Sequence, residues 1–597
     1  MLTPPVTEKR PTERSHHGDV VIDHYEWLRD KDDPAVIALL EQENAYTKAK
    51  TKHLSLLQEQ LFEEVKHRTK ETDLSVPTRE GDWWYYARTV EGLQYAIHCR
   101  VAVRSADDWD PPAIPEDGSP LPGEQILLDD NVEATGHEFF ALGSFDVSSD
   151  GSTLLFGVDV EGDERYTIRF RDLGDAERSS TGIELDDEIP GTAAGALFDP
   201  SGRYVFYTTV DDAWRPDTVW RHEIGTPASD DVKVFHEPDE RFWLGVGLTR
   251  SRSFLAIEAG SHVTTETRLL RADDPTGEFR VVWPRRDGVE YDVEHVVAGG
   301  KDRLLIVHNE GDAVDFELVS VAADDPQGAR RMLLPHDPRM RIEGVHAFRD
   351  FVALEYRRDG LPRVAIAKVP PQGLPADATP DDTLHELAFD EELCSVGVGA
   401  NPDWAQPSLR IGYGSFVTPS TVIDIDVASG ERTVRKQQPV LGDYHPERYA
   451  QKREWATAPD GTKVPISLVY RHDLVTLGEP APTLLYGYGS YEHAIDPGFG
   501  IPGSRCSTGA WSSRSRTCAA AARWVAAGTT TASSCTRSTR SPTSSQRPST
   551  SSTATSRRRI TSSPRAARRA GCSWARSRTS RRGCSRASSP RCRSSTR

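Results

Sequence analysis

The sequence predicts a mixed fold class: a seven-bladed β-propeller, with a helical arm before it and the first strands of an α/β domain after it. Three observations lead to this prediction. Helical periodicity occurs in the first 75 residues, turn signals recur about every fifty residues between 76 and 440, and an apolar strand near residue 485 runs into a Gly/Tyr loop. A chain of 597 residues should hold two or more domains, because single cores rarely grow past ~250–300 residues.

Residues 1–75 are predicted to form the helical arm. Asp33 can cap a helix whose first residue is Pro34, which is a common pattern at a helix start. In the next segment Leu54, Leu57, Leu61 and Val65 follow helical spacing and mark one apolar face. Two such helices must pack on something larger.

Residues 76–440 are predicted to form the propeller. A first unit, "DWWYYARTVEGLQYAIHCRV", precedes six turn signals with a step close to fifty residues. These signals are "SSDG" at 148–151, "DPSG" at 199–202, "RSRS" at 250–253, "GGKD" at 299–302, "FRD" at 348–350 and "NPD" at 401–403. Seven β-units at one period are typical of a propeller, in which each blade buries its faces against its neighbours. A row of β-sandwiches is the alternative, but it would not repeat one step of this length six times.

Residues 441–503 are predicted to begin an α/β domain. "REWATAPDGTKVPISLVYR" predicts a hairpin that turns at Asp460 and Gly461. "APTLLYGYGSYEHAIDPGFGIP" then predicts a buried strand from Pro482 to Tyr486 that ends in a loop. The helices and further strands that such a domain needs do not follow.

Composition changes abruptly at about Gly503. Residues 504–597 contain 21 Arg but no Asp, Glu, Lys, His, Asn, Leu, Phe or Tyr, whereas all 91 acidic residues lie before them. Without large apolar side chains this segment cannot bury enough surface to offset chain entropy. It is therefore predicted to be a disordered, non-native Arg/Ser/Ala-rich tail.

Composition also limits the location and partners of the protein. The body carries only Cys99 and Cys394, which makes no disulfide framework and favours a reducing compartment. The start lacks an apolar signal region, and no run of eighteen apolar residues occurs, so we expect a cytoplasmic protein with no membrane partner. A net charge near −40 in the body argues against nucleic acid and favours cationic ligands.

Several segments together give a resemblance to a known family. "YEWLRD", "ENAYTKA", "LFEEVKHR", "YYARTVEGLQYAIHCR", "GTKVPISLVYR" and "LLYGYGSYEHAIDPGF" resemble the prolyl oligopeptidase family of serine peptidases, most closely its oligopeptidase B (protease II) branch. The resemblance covers essentially all of residues 5–502. It implies a propeller that limits access to short peptides and an α/β-hydrolase domain that cleaves after Lys or Arg. It also implies short basic peptides as partners and no cofactor.

The resemblance assigns two site residues. Tyr488 matches the tyrosine of the oxyanion hole, whose hydroxyl donates a hydrogen bond to the carbonyl oxygen as charge develops on it. Asp496 matches the first of two acidic residues that bind a basic side chain next to the cleaved one, and Gly498 stands at the second position. The alternatives are an aromatic residue packed at a strand end for Tyr488 and a solvated loop carboxylate for Asp496.

The serine nucleophile, the aspartate and the histidine of the triad should follow in the tail, but they are missing there. No Gly-x-Ser-x-Gly occurs between 504 and 597, and neither Asp nor His does, so the serines there lack a base to activate them. The resemblance therefore implies that the chain as written is inactive.

A shift of reading frame would explain the tail. With permissible codons, the shifted frame of Arg565–Ala575 gives Gly-Gly-Ser-Ala-Gly-Gly-Leu-Leu-Met-Gly, which matches the family's nucleophile elbow. The same shift gives family-like segments from Thr517–Val525 and from Arg505 onward, in the family's order. The sequence therefore predicts a one-base slip near Gly503.

Two other functions stay open at this stage. The propeller could be a non-enzymatic module that binds peptides or proteins, although nothing in the body marks a binding face. The Arg/Ser-rich tail could bind nucleic acid through charge, but the acidic body would compete for the same arginines.

Overall fold

The structure is a computed structural model that describes residues 3–174, 182–368, 384–489 and 494–501, and the backbone of 512–517. The chain forms two compact units. One comprises the residues up to Lys70 together with Val440–Tyr444, and the other comprises Glu71–Pro439 and the residues from His445 onward.

The first unit contains a hairpin and two helices. Its elements are β1 (Thr12–His16), β2 (Asp19–Asp23), α1 (Pro34–Thr51) and α2 (Ser55–Arg68), with 3₁₀ turns at Glu26–Arg29 and Lys52–Leu54. The Asp33 carboxylate accepts a hydrogen bond from the Ala35 N–H at 2.8 Å, as expected of an N-cap before Pro34. The predicted start of α1 is therefore confirmed. The hairpin before it was not predicted.

The second unit contains the β-propeller, whose strands fall into successive antiparallel sheets. The first sheet has β3 (Asp73–Leu74), β4 (Thr78–Glu80), β5 (Trp83–Thr89), β6 (Ile97–Ala102) and β7 (Gln125–Asp129), and α3 (Asp130–Glu133) follows it. The next has β8 (Ala141–Val147), β9 (Thr153–Asp159), β10 (Tyr166–Asp172), β11 (Ile183–Thr192), β12 (Leu197–Phe198), β13 (Tyr204–Val210), β14 (Pro216–Glu223) and β15 (Val232–His236), with a 3₁₀ turn at Ala228–Asp230.

Four sheets of four strands complete the propeller. They are β16 (Trp243–Leu248), β17 (Phe254–Gly260), β18 (Thr265–Arg271) and β19 (Arg280–Val281); β20 (Tyr291–Ala298), β21 (Lys301–His308), β22 (Glu317–Ala322) and β23 (Arg331–Leu334); β24 (Met340–Ala347), β25 (Phe351–Arg358), β26 (Leu361–Lys368) and β27 (His385–Glu386); and β28 (Cys394–Val398), β29 (Ser408–Ser415), β30 (Thr421–Asp426) and β31 (Arg432–Gln437).

The propeller prediction is confirmed, but the count of seven separate blades is wrong for the part of the chain that the structure describes. Five sheets have the size of one blade, and β8–β15 form one eight-stranded sheet. The physical reason is a single residue pair, Thr192 with Thr209, which joins β11 to β13. A period in the sequence counts turns, and it does not show whether neighbouring edge strands pair.

Apolar side chains pack between successive sheets and form the core. One cluster joins the sheet of β20–β23 to that of β24–β27 through buried residues such as Leu305, Leu318, Val345 and Leu354. Another joins β24–β27 to β28–β31. Each blade thus buries its faces against its neighbours, as a propeller requires.

Ion pairs link the last sheet to the first. The Arg410 guanidinium donates two hydrogen bonds to the Asp424 carboxylate at 2.6 and 2.9 Å and a third to the Pro77 carbonyl at 2.7 Å. Arg435 binds Asp424 from another side at 2.8 Å and Asp110 at 2.6 Å. These side chains connect segments more than three hundred residues apart, so polar contacts help to close the ring.

The remaining strands form a four-stranded sheet in the order β32, β33, β35, β34. They are β32 (Tyr449–Thr457), β33 (Lys463–Arg471), β34 (Thr483–Tyr488) and β35 (Ser512–Thr517), preceded by a 3₁₀ turn at Pro446–Arg448. β32 and β33 form the predicted hairpin, and β34 pairs with β35 in parallel.

Strand β35 of this sheet contradicts part of the predicted disorder of residues 504–597. Residues 512–517 form a strand inside the segment that was predicted to be disordered, so that prediction is wrong for these six residues. The backbone of β35 pairs with strands on both sides, and this pairing does not depend on large apolar side chains. The rest of the predicted tail, residues 504–511 and 518–597, lies outside the described residues.

In the part of the chain that the structure describes, no helix is both long enough and apolar enough to cross a membrane.

Candidate substrate-binding site

Tyr488 is the last residue of strand β34. In the part of the chain that the structure describes, β34 lies at one edge of the four-stranded sheet. All six residues of β34 are exposed, so the predicted burial of this strand is wrong, and Tyr488 is 42% exposed. An exposed phenol at the end of a parallel strand can donate a hydrogen bond to a ligand above the sheet edge. The position is therefore compatible with the predicted oxyanion role.

Asp496 lies in a short segment, 494–501, that contacts the propeller. Its carboxylate accepts two parallel hydrogen bonds from the Arg357 guanidinium: Nη1 to Oδ1 at 2.7 Å and Nη2 to Oδ2 at 2.6 Å. Arg357 belongs to β25, so the pair joins residues 139 positions apart. Asp496 is thus not a solvated loop carboxylate. It is one half of a bidentate ion pair.

A second carboxylate holds the opposite edge of this guanidinium. Arg357 Nε donates to Glu343 Oε1 at 2.7 Å, and Glu343 lies on the neighbouring strand β24. Burial alone would lower the pKa of Arg357, but the hydrogen bonds and charges of Asp496 and Glu343 outweigh burial and raise it. Arg357 is therefore a fixed, permanently charged group.

Two further contacts fix the segment that carries Asp496. The Ser395 hydroxyl on β28 donates to the Pro497 carbonyl at 2.6 Å. Ala494 and Ile501, at the two ends of the segment, are buried. The ion pair with Arg357 and the hydrogen bond from Ser395 together hold Asp496 against the propeller.

Gly498 occupies an open position beside Asp496. Among the residues that the structure describes, a Cβ atom built on Gly498 would have only the Asp496 carbonyl oxygen within 4 Å, at 3.9 Å. Gly498 is not among the glycines with a positive φ. The backbone would therefore accept a larger residue, and glycine here is not imposed by steric crowding.

Strand β32 places another guanidinium near Asp496. Arg453 donates to the Ser467 hydroxyl at 2.7 Å and to the Asp359 carbonyl at 3.2 Å. Burial lowers the pKa of Arg453, and the nearby carboxylates of Glu392 and Asp496 offset part of that effect. Two arginine side chains, Arg357 and Arg453, thus carry positive charge near the Asp496 carboxylate. Of these two, Arg357 is the one that forms hydrogen bonds with it.

The comparison with family models identifies the fold. Residues 4–438 match the model described as "Prolyl oligopeptidase, N-terminal beta-propeller domain". The chain belongs to the prolyl oligopeptidase family.

Two relatives of this family member are peptidases by name. It is 36% identical over 509 residues to a dipeptidyl aminopeptidase BI of Pseudoxanthomonas mexicana, with 84% of this chain and 66% of the relative covered. It is 31% identical over 497 residues to a protease 2 of Moraxella lacunata, with 83% and 67% covered. The chain thus spans about two thirds of the length of each relative.

Solved structures of oligopeptidase B are similar to this prolyl oligopeptidase family member. The enzyme from Leishmania major gives a TM-score of 0.79 at 28% identity, with 88% of this chain and 73% of that chain covered. The closed form from Trypanosoma brucei with covalently bound antipain gives 0.78 at 33% identity, with 88% and 74% covered.

The structure places the two predicted site residues on separate segments. Tyr488 ends β34, Asp496 follows on 494–501, and residues 490–493 between them lie outside the described part. The segment that should hold the serine, aspartate and histidine also lies outside it, apart from the backbone of β35. Within the described residues, no group of three or more His, Cys, Asp or Glu could hold a metal ion.

Sequence reasoning missed Arg357, Glu343 and Ser395. They belong to propeller strands whose alternation accounts for their types without reference to a ligand, and they lie about a hundred residues or more before Asp496 and Pro497. The only signal was the acidic identity of Asp496, which requires a cationic partner when it is partly buried.

Proposed function

We propose that this chain descends from a serine peptidase of the oligopeptidase B branch that hydrolyses short peptides after Lys or Arg. The similarity to protease 2 and to oligopeptidase B structures over more than four fifths of the chain supports the branch. In this proposal residues 1–75 are the helical arm, 76–440 the propeller, 441–503 the start of the α/β-hydrolase domain and 504–597 a non-native tail. We further propose a cytoplasmic location, which the scarcity of cysteines in the body supports.

The chain as written is inactive in this proposal. The observation that carries this part is the composition of residues 504–597, which contain neither Asp nor His. A serine hydroxyl needs a base to remove its proton and a carboxylate to orient that base, and the segment after Tyr488 and Asp496 provides neither. Arg-containing peptides would still meet a propeller and a partial hydrolase domain, but no bond would break.

In the proposed mechanism Tyr488 and Asp496 have distinct tasks. The Tyr488 hydroxyl donates a hydrogen bond to the oxygen that becomes negative as the serine attacks, which lowers the barrier of that step. Asp496 contributes a negative charge that orients a basic side chain next to the cleaved one. No cofactor takes part in this chemistry.

A paired assay tests both parts of the proposal. The chain as written and a version with the reading frame restored after Gly503 are compared on a blocked, Arg-containing chromogenic peptide. We expect hydrolysis after Arg by the restored version and none by the chain as written. Hydrolysis by the chain as written, in a preparation free of other peptidases, would contradict its proposed inactivity. A restored, folded version that cleaves no basic peptide would contradict the proposed specificity.

A second activity is favoured by one relative. The name of the Pseudoxanthomonas protein describes an aminopeptidase that releases dipeptides, and its identity to this chain is 36%. The restored version would then prefer a dipeptide substrate with a free amino terminus over the same peptide with a blocked one. An endopeptidase of the oligopeptidase B type would cleave the blocked peptide as well.

The non-enzymatic alternative is a propeller that only binds peptides. A restored chain that binds Arg peptides but does not cleave them would favour it.

A further inference from the structure

The contact between Arg357 and Asp496 has the geometry by which a carboxylate binds an arginine of a substrate. Both carboxylate oxygens accept from the terminal nitrogens of one guanidinium, at 2.7 and 2.6 Å. This fork-to-fork arrangement is the strongest way in which the two groups pair. In this structure, a guanidinium of the chain itself thus occupies the carboxylate.

The internal guanidinium is held more firmly than a side chain at a surface ion pair would be. The Arg357 side chain is only 9% exposed, and Glu343 binds its Nε from the side opposite Asp496. The Asp496 side chain is 30% exposed, so solvent reaches the carboxylate although Arg357 binds it. A ligand can therefore approach Asp496, but it must compete with a pre-organised partner.

Within the described segment 494–501, Asp496 is the only acidic residue that could bind a basic ligand. Gly498 stands where the resemblance places the other acidic residue, and its surroundings are open. Glu343 is engaged by Arg357 through the Nε contact. A cation that approaches segment 494–501 therefore meets the Asp496 carboxylate with Arg357 already bound to it.

We propose that Arg357 is a specificity-determining residue, because it occupies Asp496 and must be displaced before a basic substrate group can bind there. This inference rests on the proposed function, in which Asp496 faces the peptide. It implies that the subsite selects weakly for Lys or Arg next to the cleaved residue, and that a neutral side chain binds at no disadvantage. The ligand class concerned is a guanidinium or ammonium group.

The test uses the full chain as written, so that it needs no catalysis. Two probes are titrated by calorimetry: N-ethylguanidinium chloride, and an Arg-Arg dipeptide blocked at both ends. The variants are Arg357→Gln, which removes the charge but keeps a polar side chain, the double variant R357Q/D496N, and Arg357→Lys. Circular dichroism and unfolding curves establish that each variant is folded.

We expect R357Q to bind both probes at least tenfold more tightly than the parent chain, because the carboxylate is vacated. R357Q/D496N should lose this gain. R357K should lie between the parent and R357Q, because an ammonium cannot form the two parallel bonds of a guanidinium. Folded R357Q that binds ethylguanidinium no better than the parent, or no better than R357Q/D496N, would overturn the proposal.

Two remaining outcomes are also decisive. If R357Q does not fold, R357K is the readout, and a severalfold gain for ethylguanidinium supports the proposal, whereas no gain overturns it. If R357Q gains ethylguanidinium binding but no chain binds the blocked dipeptide, Arg357 does occupy a guanidinium site and Asp496 does not face a peptide. That result would overturn the proposed role of Asp496 and, with it, the specificity role of Arg357, whereas a missing gain for ethylguanidinium overturns the role of Arg357 alone.

Discussion

Arg252 donates a hydrogen bond from Nη1 to Glu80 Oε1 at 2.6 Å, although 172 residues separate them. Arg252 lies in the turn between β16 and β17 with a left-handed φ of 58°, and its Nη2 also reaches the Ser149 hydroxyl at 2.9 Å. Ser251 in the same turn contacts His295 Nδ1 at 2.7 Å. Arg252 and Ser251 in one turn of the propeller thus link their own sheet to three others.

Arg252→Gln should cost little stability in spite of this long-range contact. The Arg252 and Glu80 side chains are 34% and 42% exposed, so water screens their attraction. We expect a loss below about 1 kcal/mol in the free energy of unfolding, measured by urea denaturation. The loss should shrink further in 1 M salt. A loss of several kcal/mol would show that this turn holds the sheets together.

Arg410→Gln should be far more damaging than Arg252→Gln. Arg410 and Asp424 are both buried, and removal of one partner leaves the other charge without compensation. Such a change typically costs ~3–5 kcal/mol. The same urea curves provide the measurement, with R252Q as the matched control for loss of a guanidinium at an exposed pair. Equal losses in the two variants would contradict the role of Arg410 in joining the last sheet to the first.

The ion pair between Arg410 and Asp424 also predicts that the stability of the protein falls in acid. Burial alone would raise the pKa of Asp424, but the guanidinium groups of Arg410 and Arg435 outweigh it, and the pKa lies below its usual value. The unfolded chain therefore takes up a proton at Asp424 first as pH falls. The stabilisation is present above the unfolded pKa of about 4 and disappears as pH falls through the folded pKa. Asp424→Asn should flatten the fall in stability below about pH 4, measured by urea denaturation at a series of pH values.

Asp146 should produce the opposite dependence on pH. Burial, with the charge of Glu80, raises the pKa of Asp146 to about 7, although the Phe198 N–H at 2.8 Å and the charge of Arg252 lower it in part. Between about pH 4 and 7 the folded chain keeps a proton that the unfolded chain has lost, so stability falls as pH rises. Asp146→Asn should remove this fall in thermal unfolding midpoints, and the variant should gain relative stability at pH 8. An unchanged pH slope would contradict the raised pKa.

The repeating turns were sufficient to predict the propeller, because each blade needs the same short strands and the same tight turns. The pairing between β11 and β13 could not be predicted, because it depends on the single residue pair Thr192 and Thr209. Such a pair does not change the spacing of the turn signals in the sequence. The strand at 512–517 was missed for a related reason. Composition reports what side chains can bury, whereas β35 is placed by backbone hydrogen bonds to β33 and β34.

The sequence predicted one member of the ion pair at the candidate site, Asp496, but not its partner Arg357. The resemblance assigned Asp496 to substrate binding, but the sequence could not show that Arg357 binds it, because propeller strands bring the two together only after folding. Arg410 and Pro77, 333 residues apart, illustrate the same limit in the body of the fold. Local patterns predict elements, and long-range ion pairs depend on how those elements are arranged.

Tyr488→Phe tests the proposed oxyanion role, and it needs the frame-restored version of the chain because the measurement is a rate. Loss of one such donor typically lowers kcat by about 10²–10³. KM for the Arg peptide should change much less, because the hydrogen bond strengthens only as the carbonyl oxygen becomes negative. Tyr488 is 42% exposed, and unfolding curves of the variant and the parent establish that both are folded. A kcat within twofold of the parent would support an aromatic residue packed at a strand end.

Gly498→Asp should add the carboxylate that this chain lacks beside Asp496. In the described part of the chain a Cβ at this position meets one atom within 4 Å, and Gly498 does not have a positive φ, so we expect the variant to fold. Arg357 already binds Asp496 through Nη1 and Nη2 and Glu343 through Nε, so the added carboxylate would increase the negative charge available to a ligand at this segment. We expect the full chain with G498D to bind a blocked Arg-Arg dipeptide at least severalfold more tightly in low salt, with the gain lost in high salt. Gly498→Asn, which has the same shape without the charge, is the control. If G498N matches G498D, shape rather than charge at this position governs binding, and the two-carboxylate account of the subsite is wrong.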